Sequence, residues 1–416
     1  MTNVPEIRFK GFTNAWEQRK FEDDISLVGG ATPFKQNAEY WGGDIVWLSS
    51  QEIKEKYVAS GTYKITKKAL DDNATKAVKS GTPLIVSRSG VLANRFPISI
   101  PTVDVAINQD IKALVYDTDK INTDFIFAHL QKLEDYILKS VVKGGTTVQS
   151  VNVPDLQKME LGYPAIAEQS RIGQFFRTLD NTIAIHKRKL DGLRQLKKAY
   201  LQQMFPQAGE TVPRVRFEGF SEPWIAVKLG DVVEKLKSYS LSRDVETENA
   251  TGYRYIHYGD IHKQVADIIT SDEQLPRIKS GDYIPLKQYD LVLADASEDY
   301  IGIAEPCVIL HEPKEKIIAG LHTIAIRPIG TESLFLYHLF HSDGFRKFGG
   351  FMGTGLKVFG ITFTNLSKYE MGLPSIEEQT AIGKFFHKLD IQIVTHEQKI
   401  EQAKQLKMVY LQKMFA

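Results

Sequence analysis

The segment FMGTG, from Phe351 to Gly355, fits the F-x-G-x-G pattern of methyltransferase loops that bind S-adenosylmethionine. A glycine-rich loop of this kind normally follows a strand and opens a helix, so that its backbone can approach the cofactor. Here the loop follows HSDGFRKFGG and precedes LKVFGITF, which has the composition of a strand. The sequence also contains no N-P-P-[FY] or D-P-P-Y element. We therefore do not expect this chain to transfer methyl groups.

Other enzyme signatures are missing as well. The sequence has no G-x-x-x-x-G-K-[ST] phosphate loop, and its ten histidines show no H-E-x-x-H or paired metal spacing. A single cysteine, Cys307, excludes a zinc site built from several thiolates. Pro154 and Asp155 resemble the start of a nuclease motif, but no E-x-K partner follows at a useful spacing. The sequence predicts no metal site and no catalytic residue.

Polar side chains suited to nucleic acid lie in segments that follow strand-like runs. These segments are SSQEIK, SRSGVLANR and NQD in the first half of the chain, and HYGDIHK, ADASEDY and GLHT in the second. Arg and Lys pair with guanine, Asn and Gln pair with adenine, and cations also bind phosphate. An ordinary solvated loop is the alternative at each position. The candidate DNA-binding residues are Arg88, Asn94, Arg95, Asn108, Gln109, Lys143, Thr146 and Gln149 in the first half, and His257, Tyr258, Lys263, His322, Thr354 and Lys357 in the second.

Length and composition indicate an ordinary folded protein. A chain of 416 residues has room for roughly two to four domains. It is 43% hydrophobic and 25% charged, and no apolar run approaches the roughly 18 residues of a membrane helix. The start, MTNVPEIRFKGF, lacks the apolar core of a signal peptide. With one cysteine and no internal disulfide, the chain is expected in a reducing cytoplasm.

The net charge does not indicate a uniformly basic DNA-binding surface. The sequence has 52 Lys and Arg against 51 Asp and Glu, a formal charge of +1. Any charge that attracts DNA must therefore be local. One basic cluster is visible from Lys187 to Lys198, and it is either a solvated helix face or a surface that meets DNA or a partner.

The chain is an internal duplication. Residues 163–205 and 373–415 are identical at about half of their positions. A second repeated block, starting at Pro5 and Pro213, shares Arg8/Arg216, Phe9/Phe217, Gly11/Gly219, Phe12/Phe220 and Trp16/Trp224. The repeating unit is therefore about 210 residues long, far beyond a solenoid repeat. Between these blocks the halves diverge, which predicts one frame that carries two recognition units of the same type and different specificity.

The later repeated block predicts a long helix in each half. Its apolar residues alternate at spacings of four and three, which is the pattern of a coiled-coil seam. A helix of about 38 residues spans roughly 57 Å and needs a partner helix, and each copy is the obvious partner of the other. His186 and His396 either fix the register or lie on the surface. The seam residues are Ile172, Phe176, Leu179, Ile183, His186, Leu190 and Leu193, and Ile382, Phe386, Leu389, Ile393, His396 and Ile400.

The helix starts differ between the two copies. Ser375 and Glu378 form the Ser-x-x-Glu pattern of a capping box behind Pro374. The first copy keeps Glu168 but has Ala165 at the capping position.

The rest of each half is predicted to be mixed α and β. The strand-like runs are DIVWLS, TPLIVS and DIKALVY in the first half, and YRYIHYGDI, DLVLAD and HTIAIRPI in the second. One amphipathic helix follows in each half, at TDFIFAHLQKLEDYILKS and near SLFLYHLFHSDGF.

The fold class that follows is α+β, with two mixed α/β domains joined by two long coiled-coil helices. An approximate two-fold relation between the halves would make the helices antiparallel. The predicted boundaries are 1–162 for the first recognition domain and 163–212 for the first helix and linker. The second recognition domain spans 213–372, and the second helix spans 373–416.

Over essentially the whole chain, this arrangement resembles the specificity subunit of type I restriction and modification complexes. The resemblance rests on the two divergent domains, the blocks YPAIAEQSRIGQFF and LPSIEEQTAIGKFF, the endings LKKAYLQQMF and LKMVYLQKMF, and PEIRFKGFTNAWE with its copy. It implies a non-catalytic subunit that binds double-stranded DNA, with each domain recognising one half of a bipartite, asymmetric site. It also implies that the helices set the spacer and dock two modification subunits.

The same resemblance assigns the chemistry to partner subunits. The modification subunits would carry S-adenosylmethionine and methylate adenine N6, and restriction subunits would use ATP and Mg for translocation and cleavage. The chain itself would hold no cofactor and contact no membrane, and it would be required for both activities of the complex. The alternatives are a self-contained modification or restriction enzyme, and a coiled-coil scaffold whose divergent loops bind two protein ligands.

Overall fold

The computed structural model describes residues 4–145, 148–207, 210–300, 302–355 and 358–415. The chain falls into two units, one formed by Met1–Lys187 with Glu397–Ala416 and the other by Arg188–His396. Each unit therefore contains one globular domain, part of one long helix and part of the other. The predicted linear boundaries stay predictions, because the units divide the chain within the long helices.

The first half of the chain contains short strands that precede a long helix. Its strands are β1 (Glu17–Lys20), β2 (Ser26–Gly29), β3 (Trp41–Leu48), β4 (Tyr57–Val58), β5 (Tyr63–Ile65), β6 (Ala77–Val78), β7 (Leu84–Val86), β8 (Arg88–Ser89), β9 (Ile98–Pro101), β10 (Val105–Ile107), β11 (Ile111–Val115), β12 (Val142–Lys143), β13 (Gln149–Val151) and β14 (Glu160–Tyr163). Its α-helices are α1 (Phe21–Asp24), α2 (Lys67–Asp71), α3 (Thr123–Lys132), α4 (Glu134–Tyr136), α5 (Val153–Gln157) and α6 (Ile166–Gln203). Turns of 3₁₀-helix occupy Ala38–Tyr40 and Gly90–Ala93, and a π-helical turn occupies Ile137–Val141.

Among the residues that the structure describes, the second half repeats this order with fewer strands. Its strands are β15 (Ile225–Lys228), β16 (Val233–Lys235), β17 (Tyr253–Ile256), β18 (Ile268–Ile269), β19 (Leu291–Ala294), β20 (Ala296–Ser297), β21 (Pro306–Ile309), β22 (Lys316–Ala319), β23 (Thr323–Pro328), β24 (Phe359–Gly360) and β25 (Glu370–Leu373). Its helices are α7 (Tyr258–His262), α8 (Ser333–Phe340), α9 (Asp343–Met352), α10 (Phe363–Leu366) and α11 (Ile376–Lys413). Turns of 3₁₀-helix occupy Leu229–Asp231, Arg243–Val245 and Asp272–Gln274.

The main sheets of the two domains share one strand order, and each smaller sheet of the second domain matches part of its counterpart in the first. A five-stranded sheet has the order β2-β11-β7-β9-β4 in the first domain and β16-β23-β19-β21-β18 in the second. Beside it lies a parallel pair, β3 with β10 in the first domain and β17 with β22 in the second. A short antiparallel ladder joins β8 to β13 in one domain and β20 to β24 in the other. The duplication is therefore a duplication of topology as well as of the terminal blocks.

Both predicted long helices are present, and α6 and α11 each contain 38 residues. Within the first unit the early part of α6 packs against the late part of α11, since Phe175 contacts Tyr410 and Phe176 contacts Phe415. Within the second unit Phe385 contacts Tyr200 and Phe386 contacts Phe205. From Phe175–Tyr410 to Asp180–Lys407 the residue numbers rise along α6 and fall along α11, and in the second unit Phe385–Tyr200 and Asp390–Lys197 show the same opposed order. The helical segments of each unit are therefore antiparallel.

The first repeated block holds the start of each long helix. In the first unit, Arg8 donates two hydrogen bonds to the Glu168 carboxylate, of 2.9 and 2.7 Å. Arg216 makes the same pair of bonds to Glu378, of 2.8 and 2.7 Å. Gly11 has a φ of 101° and Gly219 has a φ of 93°, and glycine adopts this left-handed conformation most readily. These contacts explain why the early and late blocks are repeated together.

Three local expectations need correction. The predicted helix at 123–140 is broken because Leu133 leaves the helical conformation, with a ψ of 3°, and the Glu134 carboxylate accepts a hydrogen bond of 2.6 Å from the Phe96 amide. Near SLFLYHLFHSDGF there are two helices, since α8 ends at Phe340 and Ser342 caps α9. The run YRYIHYGDI is only partly a strand, because His257 caps α7.

The capping box at α11 is only half formed. The Ser375 hydroxyl accepts a hydrogen bond of 3.3 Å from the Glu378 amide, as expected. The Glu378 carboxylate, however, binds Arg216 and the Trp224 indole instead of the cap backbone. Among the described residues, no helix has both the length and the apolar character needed to cross a bilayer.

Candidate nucleic-acid interface

Four segments of the first domain meet where its strands end, and we name residues 49–50, 87–89, 108–110 and 149–151 the first rim. Backbone hydrogen bonds join them in series. The Asn108 amide donates to the Leu48 carbonyl (2.9 Å), the Ser87 amide donates to the Asp110 carbonyl (2.7 Å), and the Val151 amide donates to the Ser87 carbonyl (2.8 Å). The divergent segments SSQEIK, SRSGVLANR and NQD therefore contribute to one surface.

The second domain builds the same frame from residues 257–258, 295–297, 320–322 and 359–361, which we name the second rim. The Gly320 amide donates to the Ile256 carbonyl (2.9 Å), and the Asp295 amide donates to the His322 carbonyl (3.0 Å). The Ile361 amide donates to the Asp295 carbonyl (2.9 Å). The three connections occur in the same order as in the first rim.

The matched hydrogen bonds align the two rims residue by residue. Ser87 of the first rim corresponds to Asp295, and Asp110 corresponds to His322. One step along the chain, Arg88 corresponds to Ala296. The backbone frame is thus repeated while the side chains that it presents are exchanged for different chemical types. This arrangement is expected of two recognition surfaces that share one architecture and differ in specificity.

Two of the predicted first-domain residues shape the first rim rather than project from it. Asn108 is 5% exposed, and its side chain accepts a hydrogen bond from the Asp110 amide (3.1 Å) while its own amide donates to the Asp110 carboxylate (3.3 Å). Its burial argues against a direct base contact. Gln109 is exposed and accepts a hydrogen bond of 2.8 Å from the Thr32 hydroxyl.

Three other candidates meet on one small sheet with the order β12-β13-β8. Arg88 lies opposite Ser150, and Gln149 lies opposite Ser89. Lys143 lies opposite Ser150 on the other side of β13, and its ammonium is 3.2 Å from the Asp155 carboxylate. The structure brings these side chains together although more than fifty residues separate Arg88 from the other two. Thr146 lies outside the described residues.

Asn94 and Arg95 follow the 3₁₀ turn that begins at Gly90, and both are exposed. One Arg95 nitrogen donates a long hydrogen bond of 3.5 Å to the Ile53 carbonyl. Ser49 and Glu52 follow the end of β3, where the Ser49 amide donates a hydrogen bond of 2.9 Å to the Glu52 carboxylate. Burial would raise the pKa of Glu52, but the hydrogen bonds from Ser49 and Thr62 outweigh it and lower that pKa. Glu52 is therefore a fixed anion that positions this corner.

The second rim gathers three of its predicted residues around a carboxylate. His322 Nδ1 lies 3.1 Å from Asp295 Oδ1, and the Tyr258 ring lies 5.3 Å from the His322 ring and 4.6 Å from that of His257. Burial raises the pKa of Asp295, although His322 opposes that shift. Burial and the nearby Arg243 guanidinium lower the pKa of His257, which is the cap of α7.

The remaining second-domain candidates lie around this group. Lys263 is exposed at the end of α7, whose His262 ring lies 2.8 Å from the Ala296 carbonyl. Thr354 pairs through its backbone with Gly360, which itself pairs with Ala296. Lys357 lies outside the described residues.

Two kinds of rim residue escaped the sequence analysis. The carboxylates of Asp110 and Asp295 were passed over because cations and amides were expected, although carboxylates accept hydrogen bonds from cytosine N4. The second kind is aromatic, since Phe359 of the second rim lies 3.7 Å from Tyr300 between ring centroids. Tyr300 stands in the divergent segment ADASEDY, whereas Phe359 lies outside the segments singled out for nucleic-acid contact.

The predicted seam residues are all buried or partly buried. His186 and His396 are both partly buried, which does not decide between a register role and a surface position. In the basic cluster Lys187, Arg188 and Lys189 are exposed, whereas Lys197 pairs with Asp390. Within the described ranges, no group of three His, Cys, Asp or Glu side chains is placed to hold a metal ion.

Comparison with known families decides the class of protein. The sequence model described as the type I restriction modification DNA specificity domain matches residues 14–195 and again residues 221–405. The chain belongs to this family. Each match covers one globular domain and most of the long helix that follows it, so the duplication of the chain is a duplication of the specificity domain.

Two relatives show how far sequences diverge within this family. The type I restriction enzyme MjaIX specificity subunit of Methanocaldococcus jannaschii is 23% identical over 56% of this chain and 56% of its own length. The type I restriction enzyme EcoR124I/EcoR124II specificity subunit of Escherichia coli is 31% identical over 44% of this chain and 47% of its own length. The chain thus spans about half the length of these relatives. The crystal structure of a type I restriction–modification S subunit from M. genitalium shares the fold, with a TM-score of 0.66, 13% identity and 99% coverage of both chains.

Proposed function

We propose that this chain is the DNA-recognition subunit of a type I restriction–modification complex. Each rim reads one half of a bipartite, asymmetric site in double-stranded DNA. The observation that carries the proposal is the repeated backbone frame of the two rims with exchanged side chains. A frame that is kept while Arg88, Ser87 and Asp110 become Ala296, Asp295 and His322 fits two readers that require different bases.

The chemistry of the rims supports DNA as the ligand. The first rim presents an arginine and a glutamine on strands, and the second presents a tyrosine and a histidine held by a carboxylate. Arginine and glutamine hydrogen-bond guanine and adenine in the major groove, and a carboxylate accepts a hydrogen bond from cytosine N4. Sites on strands also hold side chains more accurately than free loops do, which base discrimination requires.

The helices supply the second half of the proposal, which is the spacer and the docking of two modification subunits. Several apolar side chains of α6 and α11 remain exposed beside the paired seam. Leu196 is 42% exposed and its copy Leu406 is 45% exposed, and Ile166 and its copy Ile376 are 39% and 46% exposed. Because each unit presents such a copy, two equivalent partner helices could bind.

Catalysis is assigned to the partners in this proposal. The modification subunits bind S-adenosylmethionine and methylate adenine N6, and restriction subunits use ATP and Mg to translocate and cleave DNA. The specificity subunit is non-catalytic and is required for both activities, because it alone selects the site. A cytoplasmic location fits a chain with one cysteine.

The test is DNA selection by the assembled complex. The chain is purified with its modification subunits, and binding is measured by gel shift across a random DNA pool followed by sequencing. The proposal expects two short conserved elements separated by a gap of fixed length. Recovery of protein ligands without DNA selection would favour the scaffold alternative, and methylation by the isolated chain would favour a self-contained enzyme.

A further inference from the structure

We propose that Arg88 selects a guanine in the half-site read by the first domain, and that the second domain lacks this contact. The inference rests on the proposed function, and it names the base chemistry of one rim. Guanine presents two acceptors, N7 and O6, in the major groove, and a guanidinium fork pairs with both.

The backbone of Arg88 is fixed from two sides. The Arg88 and Ser87 amides both donate hydrogen bonds to the Asp110 carbonyl, of 3.3 and 2.7 Å. On its other side β8 pairs with β13, so that Arg88 lies opposite Ser150. A side chain that starts from a ladder of this kind begins at a defined position, which a bidentate base contact needs more than a phosphate contact does.

Strand alternation then directs Arg88 away from the domain. Its neighbour Ser87 is 8% exposed and donates a hydrogen bond of 3.0 Å to the Asp110 carbonyl. Ser89 accepts a hydrogen bond of 3.4 Å from the Val91 amide, at the start of the 3₁₀ turn. Arg88 lies between these two inward residues and is exposed. Successive side chains of a strand point to opposite faces, so Arg88 projects from the rim.

The charge of Arg88 is available to a ligand. Within the described part of the chain, no carboxylate pairs with its guanidinium, and the Asp110 carboxylate is occupied by the side-chain amides of Asn108 and Gln109, at 3.3 and 3.4 Å. The nearby Lys143 is different, because its ammonium contacts Asp155 at 3.2 Å and the Ser140 carbonyl at 2.9 Å. Arg88 thus presents a planar fork suited to a base edge, whereas the Lys143 ammonium is a compact point charge of the kind that pairs with phosphate.

The second rim places Ala296 at the matching position, and Ala296 is 6% exposed. An alanine methyl group cannot donate a hydrogen bond to guanine. That rim also holds the Asp295 carboxylate and the His322 ring, which contact each other at 3.1 Å. The frame is therefore the same, but the guanine-reading fork occurs in the first rim only.

The experiment measures base preference at every position of both half-sites with the complete complex. Wild type is compared with Arg88→Ala, Arg88→Lys and Lys143→Ala, with the thermal midpoint as a check that each variant is folded. Wild type should require guanine at one position of the first half-site. Arg88→Ala should reduce that preference roughly 5- to 150-fold, which corresponds to the loss of one bidentate base contact, and should leave the second half-site unchanged.

The two control variants separate a base contact from a phosphate contact. Arg88→Lys keeps the charge but loses the fork, so it should also lose discrimination at that position. Lys143→Ala should weaken binding to all sequences about equally and reduce the salt dependence. If Arg88→Ala shows that uniform pattern, or keeps every base preference, the guanine assignment is wrong while the proposed function stands. If the wild-type complex shows no split-site preference, the proposed function itself fails.

Discussion

Lys407 Nζ lies 2.6 Å from Asp180 Oδ1, and this contact ties the late part of one long helix to the early part of the other within the first unit. The same pair is formed in the second unit by Lys197 and Asp390. Each repeat therefore supplies one acidic residue in the early part of its long helix and one basic residue in the late part. The pairs occupy equivalent positions of the repeated blocks, which explains why both residues occur twice in the sequence.

Replacing Asp180 by Asn should lower the free energy of unfolding by about 3 kcal/mol, because it leaves the largely buried Lys407 without its counter-ion and leaves Lys56 with Asp124 alone. Lys56 approaches the same carboxylate at 3.1 Å without hydrogen-bond alignment, and the three side chains are only 10–14% exposed. Burial disfavours the charged form of Lys56, but Asp180 and Asp124 outweigh it and raise its pKa. Urea unfolding followed by tryptophan fluorescence measures the loss.

The control for this prediction is Lys404→Ala. Lys404 lies 3.9 Å from Glu401, and the side chains are 51% and 59% exposed. Its removal should change the stability by less than about 0.5 kcal/mol. Equal losses in the two variants would show that the Asp180 contacts are not a stabilising feature.

The two repeated tryptophans should not be equivalent in stability. The Trp224 indole donates a hydrogen bond of 3.1 Å to Glu378, whereas the Trp16 indole nitrogen has no partner among the described residues. Trp224→Phe should therefore cost about 1.5 kcal/mol more than Trp16→Phe, since a hydrogen bond to a charged group is lost. In a Glu378→Gln background this difference should shrink. Identical costs in denaturant titrations of both variants would count against the contact.

Acid should destabilise the first unit through His129. This side chain is fully buried, stacks on Phe415 at 4.8 Å, and burial lowers its pKa to about 3. A histidine whose folded pKa lies below its unfolded value of about 6.5 contributes stability that is present above that value and is lost as the pH falls toward the folded pKa. The free energy of unfolding should drop by about 2 kcal/mol between pH 7 and pH 5 on this account.

Comparing urea unfolding of wild type and His129→Leu at the two pH values tests this assignment. In the variant, the free energy of unfolding should fall less between pH 7 and pH 5, because the contribution of His129 is absent. His338, also fully buried and with its pKa lowered well below the usual value for the same reason, should retain a part of the acid dependence in the second unit. The double variant should remove both contributions, and an unchanged acid dependence in it would refute the assignment.

A fragment of residues 1–207 should form a homodimer through α6. In the full chain, Tyr410, Lys407 and Phe415 contact the early part of α6. In the dimer, their repeat copies Tyr200, Lys197 and Phe205 of the other fragment would make these contacts. Each copy is of the same residue type, so the dimer preserves the aromatic and ionic contacts of the seam. Light scattering should give twice the fragment mass.

Charge exchange gives this prediction a sharper form. Asp180→Lys alone should yield a monomer, because two like charges then meet at each contact. Adding Lys197→Asp should restore the dimer. A fragment that is monomeric throughout, or a dimer that tolerates Asp180→Lys, would contradict the pairing.

The long helices and the duplicated topology could be predicted because they depend on patterns that the sequence displays directly. Two 38-residue seams and two copies of each block leave few other arrangements. The breaks at Leu133 and at Ser342 could not be predicted, because Glu134 binds the distant Phe96 amide and Ser342 caps a new helix within an apolar run. The Glu378 carboxylate was assigned to a local cap, but the distant Arg216 and Trp224 bind it.

For the rims, the sequence located the segments but not the roles of single residues. The three most divergent segments of each half do meet at one surface. Asn108 turned inward because its side chain can close a turn with Asp110, a choice that composition does not reveal. Asp295 was overlooked because cations and amides were expected, and because its partner His322 is distant in sequence and is brought close only by the fold.

The most direct measurement of the central account is a genome-wide map of methylated adenines in cells that carry the complex, compared with cells in which the first rim has been changed by Arg88→Ala. We predict a motif of two elements at fixed spacing, and a change in the variant that is confined to one element. A contiguous motif, or a variant map that changes in both elements together, would contradict two rims that read separate half-sites.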